Sequence, residues 1–232
     1  MTLQDTPIGQ RLPEDVLARR TQLPLKVAPV TLTGRRVILK PLELDRDVEA
    51  LHGVSNGQPI QLGERIMDRY DPDALIWRYM YAGPFPDADA LAAYLSPFVT
   101  SSNGLCLCVF DRATGRQVGV VNYLNNAPEH LRVELGSIWY SPILQGRGAN
   151  TEATYLMLDH AFALGYRRVE WKCNARNIRS RRAALRLGFT FEGVLEAYAI
   201  AKGCNRDSAW FRILDREWPR VKAHLESILQ NL

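Results

Sequence analysis

The chain has 232 residues, of which 47% are hydrophobic, so it can bury about 70% of its unfolded surface in one core, and one main domain is predicted. A net charge of +4, spread over both signs, is too small to indicate nucleic-acid binding. The absence of an 18-residue apolar run and of a leader pattern argues against a membrane span and predicts a soluble, cytoplasmic protein.

The cysteines and histidines show no pattern of metal ligation. Cys106 and Cys108 would point the same way on a strand, but neither belongs to a pair spaced as in zinc sites. We therefore expect reduced, mostly buried thiols, no metal, no nucleophile and no histidine triad. The other cysteines and the histidines are scattered: Cys173, Cys204, His52, His130, His160 and His224.

The first 28 residues are polar and contain three prolines, with one short helix-compatible piece at residues 13–20. We interpret residues 1–28 as an N-terminal arm that packs on the domain or on a partner, and residues 29–232 as the domain. Residues 30–39 contain an apolar run after Gly34, which predicts a hairpin followed by a strand.

Two helices are predicted before the central strands. Residues 45–54 show apolar side chains at helical spacing after Asp45, a favoured N-cap residue. Residues 87–98 also place their apolar side chains on one face. The segment between them, residues 57–86, is poorly periodic and rich in aromatic residues and proline, and we expect it to form loops that contact a substrate.

The second half of the chain alternates between strand and helix patterns. Strands first, followed by this alternation, predict an α+β fold with a mixed α/β sheet. The predicted strands are residues 105–110, 117–123, 131–140, 168–173, 191–200 and 207–213, and the predicted helices are residues 149–164 and 177–187.

The segment SPILQGRGANTEA joins the strand ending at Tyr140 to a largely apolar helix. The first backbone N–H groups of a helix have no partner inside it and favour an anion, most often a phosphate. Gly146 and Gly148 would expose these groups, and Arg147 adds a cation. The alternative is a tight connection whose helix is capped by Asn150 or Thr151.

A second polar segment, NIRSRRAALRLGF, begins at Asn177. At about 100° per residue, Asn177, Ser180 and Ala184 lie on one face of a helix. Asn177 is also a natural N-cap, and Ser180 could be a small packing residue. Three arginines of this helix fall on the opposite face, which we interpret as a solvated surface; a phosphate site, an acidic partner or RNA are the alternatives. These arginines are Arg179, Arg182 and Arg186.

Together these two segments resemble motifs of the GNAT superfamily of N-acetyltransferases. Gln145-x-x-Gly148 is similar to the family's pyrophosphate loop, Arg/Gln-x-x-Gly-x-Gly/Ala, with Asn150 in place of the last Gly or Ala. Asn177-x-x-Ser180, followed by a Gly-Phe pair, is similar to its later motif. The resemblance covers residues 105–210 and looks closest to the branch of the RimJ and RimL ribosomal-protein acetyltransferases.

The resemblance implies acetyl-CoA as cosubstrate and a twisted, mostly antiparallel sheet, flanked by helices and splayed between two central strands. It also implies an amine acceptor, leaves a homodimer open, and puts coenzyme affinity in question at Asn150. The coenzyme-binding residues that we infer are Ser137, Ile138, Trp139, Gln145, Gly146, Arg147, Gly148, Ala149, Asn150, Thr151 and Asn177.

The implied reaction is direct attack of an amine on the thioester. Arg132, Glu134 and Gly136 share one side of a strand, and Gly136 indicates a bulge or a close ligand. Glu134 is our candidate for the general base, directly or through water, with a surface ion pair to Arg132 as the alternative. Ser180 is the candidate to protonate the leaving sulfur or to form a hydrogen bond with it.

We therefore predict an N-acetyltransferase that transfers an acetyl group from acetyl-CoA to a primary amine, either a protein or peptide N-terminus or a small amine. The alternative is a non-catalytic acyl-CoA-binding or regulatory module.

Overall fold

The computed structural model describes residue 9 and residues 11–232. Its helices are α1 Glu14–Gln22, α2 Leu44–Gly53, α3 Ala88–Val99, α4 Ala149–Ala163, α5 Ile178–Arg186 and α6 Trp218–Gln230. Its strands are β1 Leu32–Thr33, β2 Val37–Pro41, β3 Ile60–Leu62, β4 Arg65–Met67, β5 Leu105–Asp111, β6 Gln117–Ala127, β7 Arg132–Tyr140, β8 Arg168–Asn174, β9 Thr190–Ala201 and β10 Cys204–Leu214.

Eight strands form one sheet in the order β1-β2-β5-β6-β7-β8-β10-β9. Every neighbouring pair is antiparallel except β7 and β8, which are parallel and are connected by α4. Their pairing runs from Arg132–Arg168 to Leu135–Trp171 and stops there, although β7 continues to Tyr140 and β8 to Asn174. The predicted fold class and the splay between these two strands are therefore confirmed.

The sheet carries an apolar cluster on each face, because alternate side chains of a strand point to opposite faces. Leu107 and Val109 of β5 belong to the larger cluster, which includes the buried apolar residues of α4 and α6. Cys106 and Cys108 belong to the smaller cluster, which includes Leu51 of α2 and Leu91 and Leu95 of α3. The two cysteines thus point the same way, as predicted.

The hairpin predicted over residues 30–39 is present as β1 and β2, but other elements differ from the sequence-based expectation. Residues 57–86, expected to be loops, contain the β3–β4 hairpin and a single π-helical turn at Asp73–Trp77; three-residue strands are too short to show a period. The last predicted strand ends near the end of β10, and sequence analysis assigns no element to the residues that form α6.

Helix α6 covers α4. Trp218, Val221 and Leu225 are its buried side chains, and the indole of Trp218 stacks on the ring of Phe162 of α4 with centroids 5.1 Å apart. The helix therefore completes the larger apolar cluster around α4.

The described part of the arm packs on the sheet. Leu23 and Val27 are buried in the larger cluster, and Asn126 Nδ2 donates hydrogen bonds to the carbonyl oxygens of Pro24, at 2.9 Å, and Leu25, at 2.7 Å. The division of the chain after residue 28 stays a prediction, and residues 1–8 and 10 of the arm lie outside the described residues. In the rest of the chain, no helix combines the length and the apolar character needed to cross a bilayer.

Candidate active site

The start of α4 presents backbone N–H groups that the described protein leaves unused. Gly148, with φ of +83°, precedes the helix, and no side chain among the described residues caps it. The first backbone hydrogen bond of the helix runs from Glu152 N–H to Gly148 O at 2.9 Å. The N–H groups of residues 149–151 therefore have no acceptor within the described residues.

The alternative of a side-chain cap at this position is not formed. Thr151 Oγ1 accepts a hydrogen bond from Arg186 Nη1 at 2.9 Å, and the Asn150 side chain contacts Thr154 Oγ1 at 3.5 Å. Both side chains are engaged away from the helix end, so an anion could reach the amides.

A cavity of about 930 Å³ lies beside this helix end and between the splayed strands. Two of the predicted coenzyme-binding residues do not line it: Arg147 is exposed, and Ala149 is buried. The other predicted site residues line one continuous space: Glu134, Ser137, Ile138, Trp139, Gln145, Gly146, Gly148, Asn150, Thr151, Asn177 and Ser180.

Strand β7 bulges where it borders the cavity. Val120 of β6 pairs with Trp139, whereas Asn122 pairs with Gly136, so that two residues of β7 face one residue of β6. Ser137, one of the two, has φ of +46°, and Asn122 Nδ2 donates to its carbonyl oxygen at 3.2 Å. The bulge predicted from Gly136 is present, and it turns the backbone of β7 toward the cavity.

Glu134 is buried at the point where β7 and β8 separate, with 5% of its surface exposed. Lys172 Nζ lies 2.7 Å from its Oε2, and Asn125 Nδ2 donates to the same oxygen at 2.7 Å. The proposed surface pair with Arg132 does not form, because Arg132 pairs with Glu170 at 3.4 Å across the parallel strands. Burial lowers the pKa of Lys172, but the charge and hydrogen bond of Glu134 outweigh it and raise the pKa above its usual value.

Helix α5 and its N-cap residue form another part of the cavity wall. Asn177 Oδ1 accepts a hydrogen bond from Ser180 N–H at 3.0 Å, which is the predicted N-cap. Ser180 Oγ accepts a hydrogen bond from Trp171 Nε1 at 3.1 Å, and Ala184 is fully buried. The face predicted from helical spacing is therefore turned partly into the protein and partly into the cavity.

Arg179, Arg182 and Arg186 of α5 are exposed, as predicted, but two of them do more than cover a solvated surface. Arg179 and Arg186 line the cavity with Ser180 and Ala183, because the cavity runs along the side of the helix between the two predicted faces. Arg179 Nη2 donates to Ala74 O at 2.8 Å.

The segment around Leu75 belongs to residues 57–86, for which substrate contact is expected, and it lines the cavity. Gln145 Nε2 donates to the carbonyl oxygen of Leu75 at 3.1 Å. Sequence reasoning missed two other residues that line the cavity, Lys172 and Arg206. Lys172, between the apolar residues Trp171 and Cys173 of a predicted strand, was the available signal, because a buried cation needs an anionic partner.

Comparison with known proteins agrees with this geometry. The family model of the acetyltransferase (GNAT) domain matches residues 36–190. The chain is 25% identical, over 162 residues, to a protein named "Uncharacterized N-acetyltransferase p20" from Bacillus licheniformis, and the match covers 66% of this chain and 88% of that protein.

Two solved structures are also similar. A GCN5-related N-acetyltransferase from Brucella melitensis is 32% identical, with coverage of 87% of this chain and 86% of that chain and a TM-score of 0.77. A probable GNAT-family acetyltransferase from Chromobacterium violaceum ATCC 12472 is 34% identical, with coverage of 83% and 95% and a TM-score of 0.71.

Proposed function

Because this chain belongs to the GNAT family of acetyltransferases, which use acetyl-CoA as cosubstrate, we propose that its acceptor is a primary amine, either a protein or peptide N-terminus or a small amine. The amine attacks the thioester carbonyl directly. A new C–N bond forms, the C–S bond breaks, and coenzyme A leaves as the thiol once the sulfur has gained a proton.

The start of α4 would hold the coenzyme pyrophosphate. The unused N–H groups at residues 149–151 and the positive end of the helix dipole both favour an anion at this place. Arg179 and Arg186, which line the cavity close by, would add charge toward the remaining phosphate. The Asn150 side chain lines the same space, and we propose that it alters the affinity for the coenzyme.

The bulged segment of β7 would orient the thioester. Its residues Ser137 to Trp139 line the cavity, and a backbone N–H group in this segment would polarise the carbonyl and stabilise the oxyanion that forms during attack. Asn122 holds the carbonyl oxygens of the bulge from the other side, which fixes the orientation of these peptide groups.

Glu134 would remove a proton from the amine, directly or through water. An alkyl amine with a pKa near 10 is mostly protonated at neutral pH, so a base must act before attack. The single observation that carries this role is the arrangement of the carboxylate: Lys172 and Asn125 both engage Oε2, whereas Oε1 has no hydrogen-bond partner among the described residues and lies on the side of Gly136.

Ser180 would return a proton to the leaving sulfur. Its Oγ already accepts a hydrogen bond from Trp171 Nε1, so the serine hydrogen remains available for donation into the cavity. Asn177, besides capping α5, borders the same space and would contact the coenzyme.

Calorimetric titration with acetyl-CoA, combined with free-thiol release over a panel of amines, tests the proposal. We expect acetyl-CoA to bind and thiol release to depend on the amine. Binding without release for any N-terminal peptide or small amine would contradict an amine acceptor. The RimJ- and RimL-like branch and the homodimer also remain proposals; activity on peptide N-termini and light scattering would test them.

A further inference from the structure

We infer that the amine acceptor also carries an anionic group, a carboxylate or a phosphate close to the amine, and that Arg206 binds it. This inference rests on the proposed function, because it names the class of amine that the same cavity accepts.

Arg206 is a buried cation without an anionic partner. Only 8% of its surface is exposed, yet no carboxylate within the described residues lies within salt-bridge distance of it. Its Nη1 donates to Tyr79 O at 2.7 Å, and its guanidinium lies 4.2 Å from the ring centroid of Tyr81. Its Nε is buried with no partner in the described part of the chain. A buried charge is normally paired, so a ligand is the natural partner for Arg206.

The position of Arg206 relates it to the proposed base. Arg206 and Ser208 of β10 line the cavity together with Glu134 and Lys172, and Trp210 of the same strand is the register partner of Lys172. Lys172 in turn contacts Glu134. An amine at Glu134 would thus extend its other end toward Arg206, within one cavity.

The remaining charges of the cavity favour an anion in this part of it. Among the described lining residues, Glu134 is the only one with a carboxylate side chain, and Lys172 already neutralises it. Arg179 contacts the segment at Ala74, and Arg186 contacts Thr151 at the start of α4. Both therefore belong to the part of the cavity beside α4 where the coenzyme phosphates would bind, which we call the phosphate end. Arg206 is therefore the cation available in the remaining part of the cavity, where the amine acceptor would bind and which we call the acceptor end.

A second orphaned donor points to an acceptor-rich ligand. Trp139, which is 4% exposed and lines the cavity, has a buried Nε1 without a partner among the described residues. Carboxylate and phosphate oxygens accept hydrogen bonds from several donors at once. A polyamine, in contrast, would bring further cations toward Arg206, in a cavity where Glu134 is the only carboxylate side chain among the described lining residues and is paired with Lys172.

Matched amines that differ only in charge test the inference. We would compare 4-aminobutyrate with 4-aminobutanamide, and C-terminally amidated Ala-Asp with amidated Ala-Asn, with spermidine as a polycation. The two pairs separate a small acceptor from a peptide N-terminus. The native chain is expected to favour the anionic member of at least one pair by about tenfold or more in kcat/KM.

Three variants separate ligand binding from a structural role. Arg206→Gln is expected to raise KM about tenfold for the anionic member and to leave the neutral member unchanged, whereas Arg206→Lys should retain part of the preference. Arg179→Gln, at the phosphate end, should weaken acetyl-CoA binding without changing the preference. An equal loss for both members in Arg206→Gln, or a preference for spermidine or the neutral members, would overturn the inference.

Binding measurements keep this test separate from the proposed function. If acetyl-CoA binds but no amine releases thiol, the proposed function fails. Calorimetry with the same pairs in the presence of coenzyme A then decides the inference alone. Tighter binding of an anionic member, lost in Arg206→Gln, would support the anion site, and equal binding of both members would overturn it.

Discussion

Lys172 Nζ lies 2.7 Å from Glu134 Oε2, two residues beyond the place where Glu134 and Glu170 are register partners. The pair spans β7 and β8 just where the strands begin to separate. It fixes one carboxylate oxygen and leaves the other, Oε1, without a hydrogen-bond partner among the described residues and 2.9 Å from the position that a Cβ on Gly136 would take, so the ion pair sets the geometry of the proposed base.

Replacement of Glu134 by glutamine should lower kcat about 10²- to 10⁴-fold, the usual effect of removing a general base. The amide keeps the shape of the side chain but accepts no proton. The measurement is amine-dependent thiol release at saturating acetyl-CoA, with acetyl-CoA affinity determined in parallel.

Glu170→Gln is the matched control. Glu170 is also a buried, ion-paired carboxylate, on the neighbouring strand, but it does not line the cavity. The Glu170→Gln variant should be less stable than the native protein, with kcat nearly unchanged. Equal losses of kcat in both variants would indicate that Glu134 acts through the fold alone.

Substitution of Gly148 by alanine should weaken acetyl-CoA binding about tenfold, because this residue shapes the turn that presents the amides of α4. Its φ of +83° costs an alanine about 1–2 kcal/mol of stability. Gly115→Ala is the control: Gly115 has φ of +68° and open space around it, and it does not line the cavity. Calorimetry should show that both variants are destabilised but only Gly148→Ala binds acetyl-CoA more weakly.

Glu152 anchors α4 to the first hairpin. Its buried carboxylate accepts hydrogen bonds from the N–H groups of Arg35, at 2.8 Å, and of Arg36 and Val37, at 2.7 and 2.9 Å. Glu152→Gln should lower the free energy of unfolding by about 1–3 kcal/mol, because an amide NH₂ would face a donor. Urea unfolding measures the loss.

Gly34→Ala provides an independent measure of the same contact. A Cβ at Gly34 would lie 2.4 Å from the Glu152 carboxyl carbon, so the substitution must push this carboxylate away. The losses from Gly34→Ala and Glu152→Gln should therefore not add in the double variant. Additive losses would show that the two residues act separately.

Thiol labelling should distinguish Cys204 from the other cysteines. Cys204 is exposed, whereas Cys106, Cys108 and Cys173 are buried. Burial raises the pKa of Cys106 to about 12 and also raises the pKa values of Cys108 and Cys173, which suppresses the reactive thiolate.

Iodoacetamide at pH 8 should label one thiol in the native protein, and Cys204→Ser should abolish the labelling. Mass spectrometry locates the adduct, and the denatured protein, in which all four thiols should react, is the control. Rapid native labelling at Cys106 would contradict the buried arrangement. Cys204→Ser is also the suitable background for thiol-release assays.

The sequence is most informative where a local rule sets the structure. Gly146 and Gly148 before an apolar helix predict the exposed amides of α4, and Gly136 predicts the bulge of β7, because both depend on backbone geometry within a few residues. The parallel pairing of β7 and β8 also follows from the strand–helix–strand order. These features define the phosphate end of the cavity.

The acceptor end depends on contacts between distant segments, which no local pattern encodes. Arg206 contacts Tyr79 and Tyr81, and these pairs are brought together only by the complete sheet. The same is true of Glu134, whose partner could be chosen between Arg132 and Lys172 only once the register of the parallel strands was known.

The Glu134–Lys172 pair should also give the protein a specific alkaline sensitivity. The pKa of Lys172 is raised in the folded protein, so its contribution to stability is fully present below about pH 10.5, the unfolded value, and is lost as the pH rises through the folded value.

Lys172→Met leaves a buried carboxylate without its partner and should cost about 3 kcal/mol at pH 8. The difference in the free energy of unfolding between the variant and the native chain should shrink above pH 10.5, where Lys172 loses its proton first in the unfolded state and then, at higher pH, in the folded state. Glu134→Gln combined with Lys172→Met should recover part of the loss, because no unpaired charge remains. Urea unfolding between pH 8 and pH 11.5 checks this, and a constant difference across that range would show that the ion pair does not carry the stability.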